Sequence, residues 1–435
     1  MAAQEPERAE SGQADPAALA LQVITEFEAG RFEQAHARFS PQLADLVSAE
    51  NVTELWLGQL DGQEICERGP ATLRARADGL VTVTMPVRTL SGGIDVLMSV
   101  DGNGIVHGLR FATAGEGGWK APDYVSPRRF EECEVELGGR DEAVPGTLTL
   151  PSGWTRLKAR MKGGVPAVVL LAGGGPFDRD ETAGPNKPLK DLAWGLATRG
   201  VAVLRFDKAT LVHAERLNER GFTLADEYLP YATAAIEVLR SRGIVDRDRI
   251  FVLGHSAGGK AAPRVAQAEP SVAGLILLAA DAAPMHETAV RVARHVAGLN
   301  PGPQADIAVA RLAEQAARAA DPELDPATPA SELPFGLPAA YWLDLGRYDP
   351  VGTAAALGKP MFIAQGGRDY QVTVEHDLDS WRDGLRGRPD VVSRVYPADD
   401  HLFFPGSEPA TPASYQVAQH VDQRLIEDIA AWVAR

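Results

Sequence analysis

The sequence predicts an α/β protein. Its main body is a doubly wound, mostly parallel sheet with a helical cap insertion, and a small α+β domain precedes it. Three observations carry this. From residue 126 onward, short apolar runs alternate with helix-like runs. One apolar run feeds directly into Gly254-His255-Ser256-Ala257-Gly258 and then into a helix-like stretch. Upstream, apolar residues keep helical spacing as far as Leu60 and then switch to alternation.

Residues 1–15 are Glu, Gln, Ala, Ser and Pro with almost nothing to bury, and predict a disordered tail. The first domain spans 16–113. Leu19, Leu21, Val23, Ile24 and Phe27 give a helix-like apolar face, ended by Gly30. Phe32, Ala35 and Phe39, then Leu43, Leu46 and Val47, then Val52, Leu55, Trp56 and Leu60 mark three further short helices. Residues 72–76, 80–87, 94–100 and 105–112 alternate as strands of a meander, with turns at Asp78-Gly79, Gly92-Gly93 and Asp101-Gly102. Helices packed on an antiparallel sheet give an α+β unit. Residues 114–125 contain Gly and Pro and predict a linker.

The second domain spans 126–435. Residues 130–137 and 146–150 open it as strands. Residues 165–172, 201–207, 250–255, 275–280 and 361–365 are short and apolar, as strands covered on both faces should be. Helix-like runs at 189–199, 224–241 and 257–268 lie between them, and Gly200 and Gly243 stop the first two. Residues 283–356 interrupt the alternation. They are Ala-rich and then Pro-rich, and too long for a plain connection, so they predict a cap over the site.

Bulk properties narrow the function. The chain has 435 residues, 45% hydrophobic and 23% charged, enough to bury a core without staples. A net charge of −16 with no Lys/Arg run argues against nucleic acid and anionic membrane surfaces as partners. No apolar run is long enough to span a bilayer, and the first residues lack an apolar leader core, so a cytoplasmic protein is expected. Cys66 and Cys133 sit in no metal or redox spacing and read as reduced, structural thiols. No metal or cofactor is expected.

The chemistry is carried by three residues in the order nucleophile, acid, base. A serine hydroxyl needs a base to take its proton, and the base needs an orienting acid. Ser256 sits on the sharp strand-to-helix turn that exposes its hydroxyl. Asp369 follows the 361–365 strand at its carboxyl end, where sites form in such sheets; Asp281, after the preceding strand, is a weaker rival. His401 follows the last strand, residues 392–396, and is the base candidate. His420 falls within an expected closing helix at 414–433 and reads as packing or surface, and His255 as packing beside the sheet. The backbone N–H of Ala257 and one N–H from Gly173-Gly174-Gly175, with Gly174 preferred, are the candidate oxyanion donors.

These motifs make residues 126–435 resemble the α/β-hydrolase superfamily. The likeness is greatest to a bacterial serine esterase subgroup with a Gly-Gly-Pro-x-Asp-Arg-Asp loop, here Gly174 to Asp180. That subgroup also carries Arg205-Phe206-Asp207-Lys208, the Gly-His-Ser elbow and Asp369-Tyr370-Gln371-Val372. The resemblance implies carboxylic ester hydrolysis by Ser256, Asp369 and His401 on a small-molecule ester or acyl substrate. Ala172 departs from the pattern, since many members have histidine before the glycines. Residues 17–113 more loosely resemble NTF2-like α+β domains, which implies no activity. Two roles stand for this domain: covering the site mouth, or forming a homodimer through its sheet. Apolar strands lean towards the homodimer. Acyl transfer or cyclisation from the same acyl-enzyme, and a non-catalytic binding protein on this scaffold, are the alternatives.

Overall fold

The computed structural model describes residues 15–60, 65–75, 79–89, 92–113, 119–139 and 142–435. The expected tail at 1–15, apart from Asp15, lies outside these residues, as do residues 114–118 of the expected linker. The chain divides into two compact units, Met1–Lys120 and Ala121–Arg435.

The first unit has helices α1 (Pro16–Glu28), α2 (Phe32–His36), α3 (Pro41–Leu46) and α4 (Ala49–Leu60), followed by strands β1 (Ile65–Arg68), β2 (Thr72–Ala75), β3 (Val81–Thr89), β4 (Gly92–Val100) and β5 (Val106–Thr113). All strand pairs are antiparallel, with β3 and β4 central. Asp15 caps α1 through Ala17 N, and Pro16 supplies a preset first turn. One face of α1 (Leu19, Val23, Ile24, Phe27) packs on the inward face of β3 and β4 (Val83, Val87, Val96, Met98). The alternation of β3, with every second side chain buried, follows directly from that one-sided core.

The second unit is an α/β fold built on an eight-stranded sheet. Its strands are β6 (Phe130–Leu137), β7 (Val144–Pro151), β8 (Val165–Leu171), β9 (Ala202–Phe206), β10 (Val245–His255), β11 (Gly274–Leu278), β12 (Met361–Gly366) and β13 (Val391–Tyr396). They lie in the order β13-β12-β11-β10-β8-β9-β7-β6. The pairs from β9 to β13 are parallel, and the β6-β7 and β7-β9 pairs antiparallel.

Helices cover both faces. They are α5 (Arg156–Lys162), α6 (Pro188–Thr198), α7 (Ala209–Val212), α8 (Leu224–Ser241), α9 (Ala257–Ala268), α10 (Met285–Leu299), α11 (Pro303–Ala319), α12 (Ala339–Arg347), α13 (Pro350–Leu357), α14 (Asp379–Gly384) and α15 (Gln423–Val433). Strand β8 shows why an unbroken apolar run was needed. Val165, Ala167, Val169 and Leu171 join the core under α8 and α9, whereas Val168 and Leu170 join the core under α6 and α15. Helices α10 to α13 occupy the segment between β11 and β12 where a cap was expected.

Two expectations fail locally. The closing helix starts only at Gln423, and His420 stands before it. The backbone from Tyr415 to Gln419 is committed instead to Asn186, whose amide donates to Tyr415 O at 2.8 Å and Val417 O at 3.0 Å and accepts from Gln419 N at 2.7 Å. Strand β10 begins already at Val245, ahead of the apolar run, because exposed Asp248 and its polar neighbours conceal the strand from a hydrophobicity reading.

Candidate active site

The order of strands fixes where a site can form. Strand β8 lies between β9 and β10, so its successor in sequence leaves on one side and β10 arrives on the other. Such a reversal opens a crevice at the carboxyl ends of the strands. Gly254 pairs with Leu171 there, which brings the 173–175 glycines beside the turn at Ser256.

That turn is strained as its sequence requires. Ser256 has φ 52 and ψ −121, a conformation few non-glycine residues adopt. A Cβ at Gly254 would strike the Gly258 carbonyl, and one at Gly258 would stand 2.5 Å from Leu171 O. A Cβ at Gly259 would stand 2.5 Å from that of Ala280. The small residues therefore let β10, α9 and β8 meet at the elbow.

Asp369 and His401 are brought together from neighbouring strand ends. His401 Nδ1 lies 2.8 Å from Asp369 Oδ2, and both residues are buried. The same oxygen accepts from Gln365 Nε2 at 2.9 Å, and Oδ1 accepts from Gln371 N at 2.8 Å and Val372 N at 3.0 Å. The carboxylate is thus held by donors on both oxygens. The acid turn and the base turn touch through glycine, since a Cβ at Gly367 would stand 2.7 Å from Pro397 Cα. Asp281, the rival acid, instead faces Lys260 Nζ at 3.5 Å. Helix α10 grips the acid turn from the other side. Arg291 donates to Gln371 O at 2.9 Å, and the His295 ring stacks on Tyr370 at 4.8 Å.

His255 is more than packing. Its Nδ1 lies 2.9 Å from Glu181 Oε1 and its Nε2 2.9 Å from the carbonyl oxygen of His401. Its ring lies 4.7 Å from that of His401. Burial opposes a charge on His255, but the Glu181 carboxylate and the two hydrogen bonds outweigh it and lift the imidazole to about 9. An imidazolium donates from both nitrogens, which is what two facing acceptors require.

The glycine loop is tied down by a carboxylate and an ammonium. Glu181 Oε1 also accepts from Gly173 N at 2.6 Å, and Lys208 Nζ donates to Gly173 O at 2.6 Å. A Cβ on Gly174 would be in ordinary contact, 3.6 Å, with that of Ala257, so the two candidate oxyanion donors are neighbours. Neither backbone N–H donates to a partner among the described residues. The loop beyond is riveted to β9 by two pairs, Asp180 with Arg205 at 2.8 Å and Arg179 with Asp207 at 2.9 Å. These pairs explain why the two sequence motifs at 174–180 and 205–208 occur together.

Sequence reasoning missed Glu181 and gave Lys208 no role. Glu181 stands one position beyond the quoted motif, and a carboxylate eight residues after Gly173 carries no signal of its own. The His213 ring is bonded to Ala143 O at 3.1 Å. His420 is bonded to Asp191 at 3.1 Å. Among the described residues no group of His, Cys, Asp and Glu is arranged to hold a metal ion, and no helix is long and apolar enough to cross a membrane. Both cysteines are free and exposed.

No family model matches the chain. Among curated proteins it is similar to esterase EstD of Thermotoga maritima, at 36% identity over 344 residues, covering 79% of this chain and 77% of EstD. Among solved structures it is similar to Est1E of Butyrivibrio proteoclasticus, at 16% identity over 69% of this chain and 99% of that one, TM-score 0.43. It is also similar to the esterase domain of a Rhodothermus marinus protein, at 18% identity over 69% and 97%, TM-score 0.39. The two structural likenesses are too distant to add to the assignment, which rests on EstD. By that relationship, spanning most of both chains, the protein belongs to the EstD family of esterases.

Proposed function

We propose that the protein hydrolyses carboxylic esters through an acyl-enzyme on Ser256, with His401 as base and Asp369 as orienting acid. The observation that carries this is the 2.8 Å bond from His401 Nδ1 to Asp369, set beside a serine held at positive φ on the neighbouring elbow. With Nδ1–H committed to the carboxylate, Nε2 is the nitrogen left to accept the serine proton. The serine oxygen then attacks the ester carbonyl, and the tetrahedral oxyanion is met by the N–H groups of Gly174 and Ala257. The proton on His401 passes to the departing alcohol. Water, deprotonated by the same nitrogen, cleaves the acyl-enzyme and restores the serine.

Membership in an esterase family supports this reading, and small-molecule esters are the expected substrates. The test is direct. Ser256→Ala should lower kcat on a nitrophenyl ester by about a millionfold, by analogy with loss of a triad serine. A fluorophosphonate should label the parent protein at Ser256 and leave the variant unlabelled. Hydrolysis that survives in Ser256→Ala overturns the proposal.

A further inference from the structure

An oxyanion donor must be aimed before the oxyanion exists, and a glycine loop does not aim itself. The peptide joining Gly173 to Gly174 is trans, so its C=O and N–H point in opposite directions. Whatever holds the Gly173 carbonyl therefore aims the Gly174 N–H.

Two buried side chains hold it. Lys208 Nζ donates to Gly173 O at 2.6 Å and to the Tyr228 hydroxyl at 3.0 Å; that hydroxyl steadies the ammonium and shares its own proton between Ala172 O at 2.9 Å and Gly173 O at 3.1 Å. Lys208 is only 2% exposed, so this is a deliberate placement of an ammonium in the core. Its charge is balanced by Glu227 Oε1 at 2.8 Å. Glu227 in turn accepts from the Tyr341 hydroxyl at 2.6 Å and from Thr210 at 3.1 Å. Tyr341 lies in α12, so the chain of bonds runs from the glycine loop to the inserted helices. Hydrogen bonds in series polarise one another, and a cation on the carbonyl oxygen draws charge from the amide and strengthens its N–H as a donor.

We propose that Lys208 is a positioning residue for ester hydrolysis: through the Gly173 carbonyl it turns the Gly174 N–H towards the oxyanion and strengthens it. The inference rests on hydrolysis through Ser256.

The test compares a nitrophenyl ester with its thiono counterpart, in which sulfur replaces the carbonyl oxygen and accepts hydrogen bonds poorly. Lys208→Met alone would strand a buried Glu227 carboxylate, so the variant used is Lys208→Met with Glu227→Gln, which removes both charges. Its kcat on the oxoester should fall about ten- to a hundredfold, below the loss expected for deleting a donor outright. KM should change little, and the oxoester-to-thionoester rate ratio should shrink in parallel. Tyr228→Phe, which buries no charge, should move the ratio in the same direction by a few-fold. A folded double variant with the parent ratio overturns the inference. Should the double variant fail to fold, an unchanged ratio in Tyr228→Phe overturns it. Activity persisting in Ser256→Ala would instead overturn the underlying hydrolytic reading, so the two failures are distinguishable.

Discussion

At the scale of single residues, the site is a set of groups whose charges are fixed by their neighbours. His255 shows this best. Its folded state favours the proton, at about 9 against 6.5 for an unperturbed imidazole. A raised value means that the stabilisation is fully present below pH 6.5 and is lost as pH rises through 9. The loss amounts to as much as about 3 kcal/mol, taking about 1.4 kcal/mol per unit. Glu181→Gln removes the carboxylate that holds the proton while leaving an oxygen for the Gly173 N–H. Thermal melts of the parent should therefore decline between neutral pH and pH 9 more steeply than those of Glu181→Gln. Parallel curves would mean that His255 is neutral in the fold. His255 was read from sequence only as packing. A histidine inside a Gly-x-Ser-x-Gly elbow gives no hint of its partner until the loop at 181 folds back over it.

At the scale of elements, the turns after β12 and β13 carry Asp369 and His401, the acid and base of the proposed reaction, and their sequences explain their closeness. Arg368 clamps the base turn, donating to Ala398 O at 2.8 Å and Glu408 O at 2.6 Å. The same turn holds a liability. Asp399 is 1% exposed, and neither carboxylate oxygen has a hydrogen-bond partner among the described residues. Burial, together with Asp422 and Asp400, pushes it up from 3.8 to about 8. Over that window the folded protein keeps a proton that the unfolded chain has released, so stability falls as pH rises across it. Asp399→Asn abolishes the ionisation. It should match the parent in melting near pH 4 and exceed it at pH 8.5, by as much as about 6 kcal/mol at the same rate of about 1.4 kcal/mol per unit. Equal melting at both pH values would show the carboxylate to be solvated.

The elements themselves were legible where physics writes them into composition. Strands covered on both faces must be largely apolar: β8 and β11 are so throughout, and β9 and β12 each admit one polar side chain, Arg205 and Gln365. Where a strand is exposed the signal fades. β1 has no buried side chain and was not anticipated, and neither was the short helix α5. The start of the last helix was misplaced because hydrogen bonds to Asn186, far away in sequence, outweigh the local helical pattern. The pairing of Asp369 with His401 was legible because each follows the end of one of two neighbouring strands, β12 and β13. The clamp on the glycine loop was not, because it joins residues on four separate segments.

At the scale of the whole molecule, each unit owns a core. The first is built from residues between Leu19 and Val106, with Phe27, Trp56 and Phe111 in mutual ring contact. The second has two large clusters, one on each face of its sheet, and a smaller one around Trp342 in the inserted helices. Ser256, Asp369, His401, Glu181 and Lys208 all belong to the second unit. A unit with its own core and every residue of the proposed catalytic set is expected to fold and work alone. Residues 121–435 expressed by themselves should therefore melt in a single cooperative step and keep kcat on a short nitrophenyl ester within about threefold, the range of a change that leaves the triad geometry intact. Calorimetry of the full chain should then resolve a second transition that the shortened chain lacks. If the shortened chain is folded but kcat falls by orders of magnitude, the first unit supplies part of the catalytic set. If only KM rises, the first unit contributes to substrate binding, which is the role over the site mouth; unchanged kinetics with a loss of self-association would assign it to the homodimer.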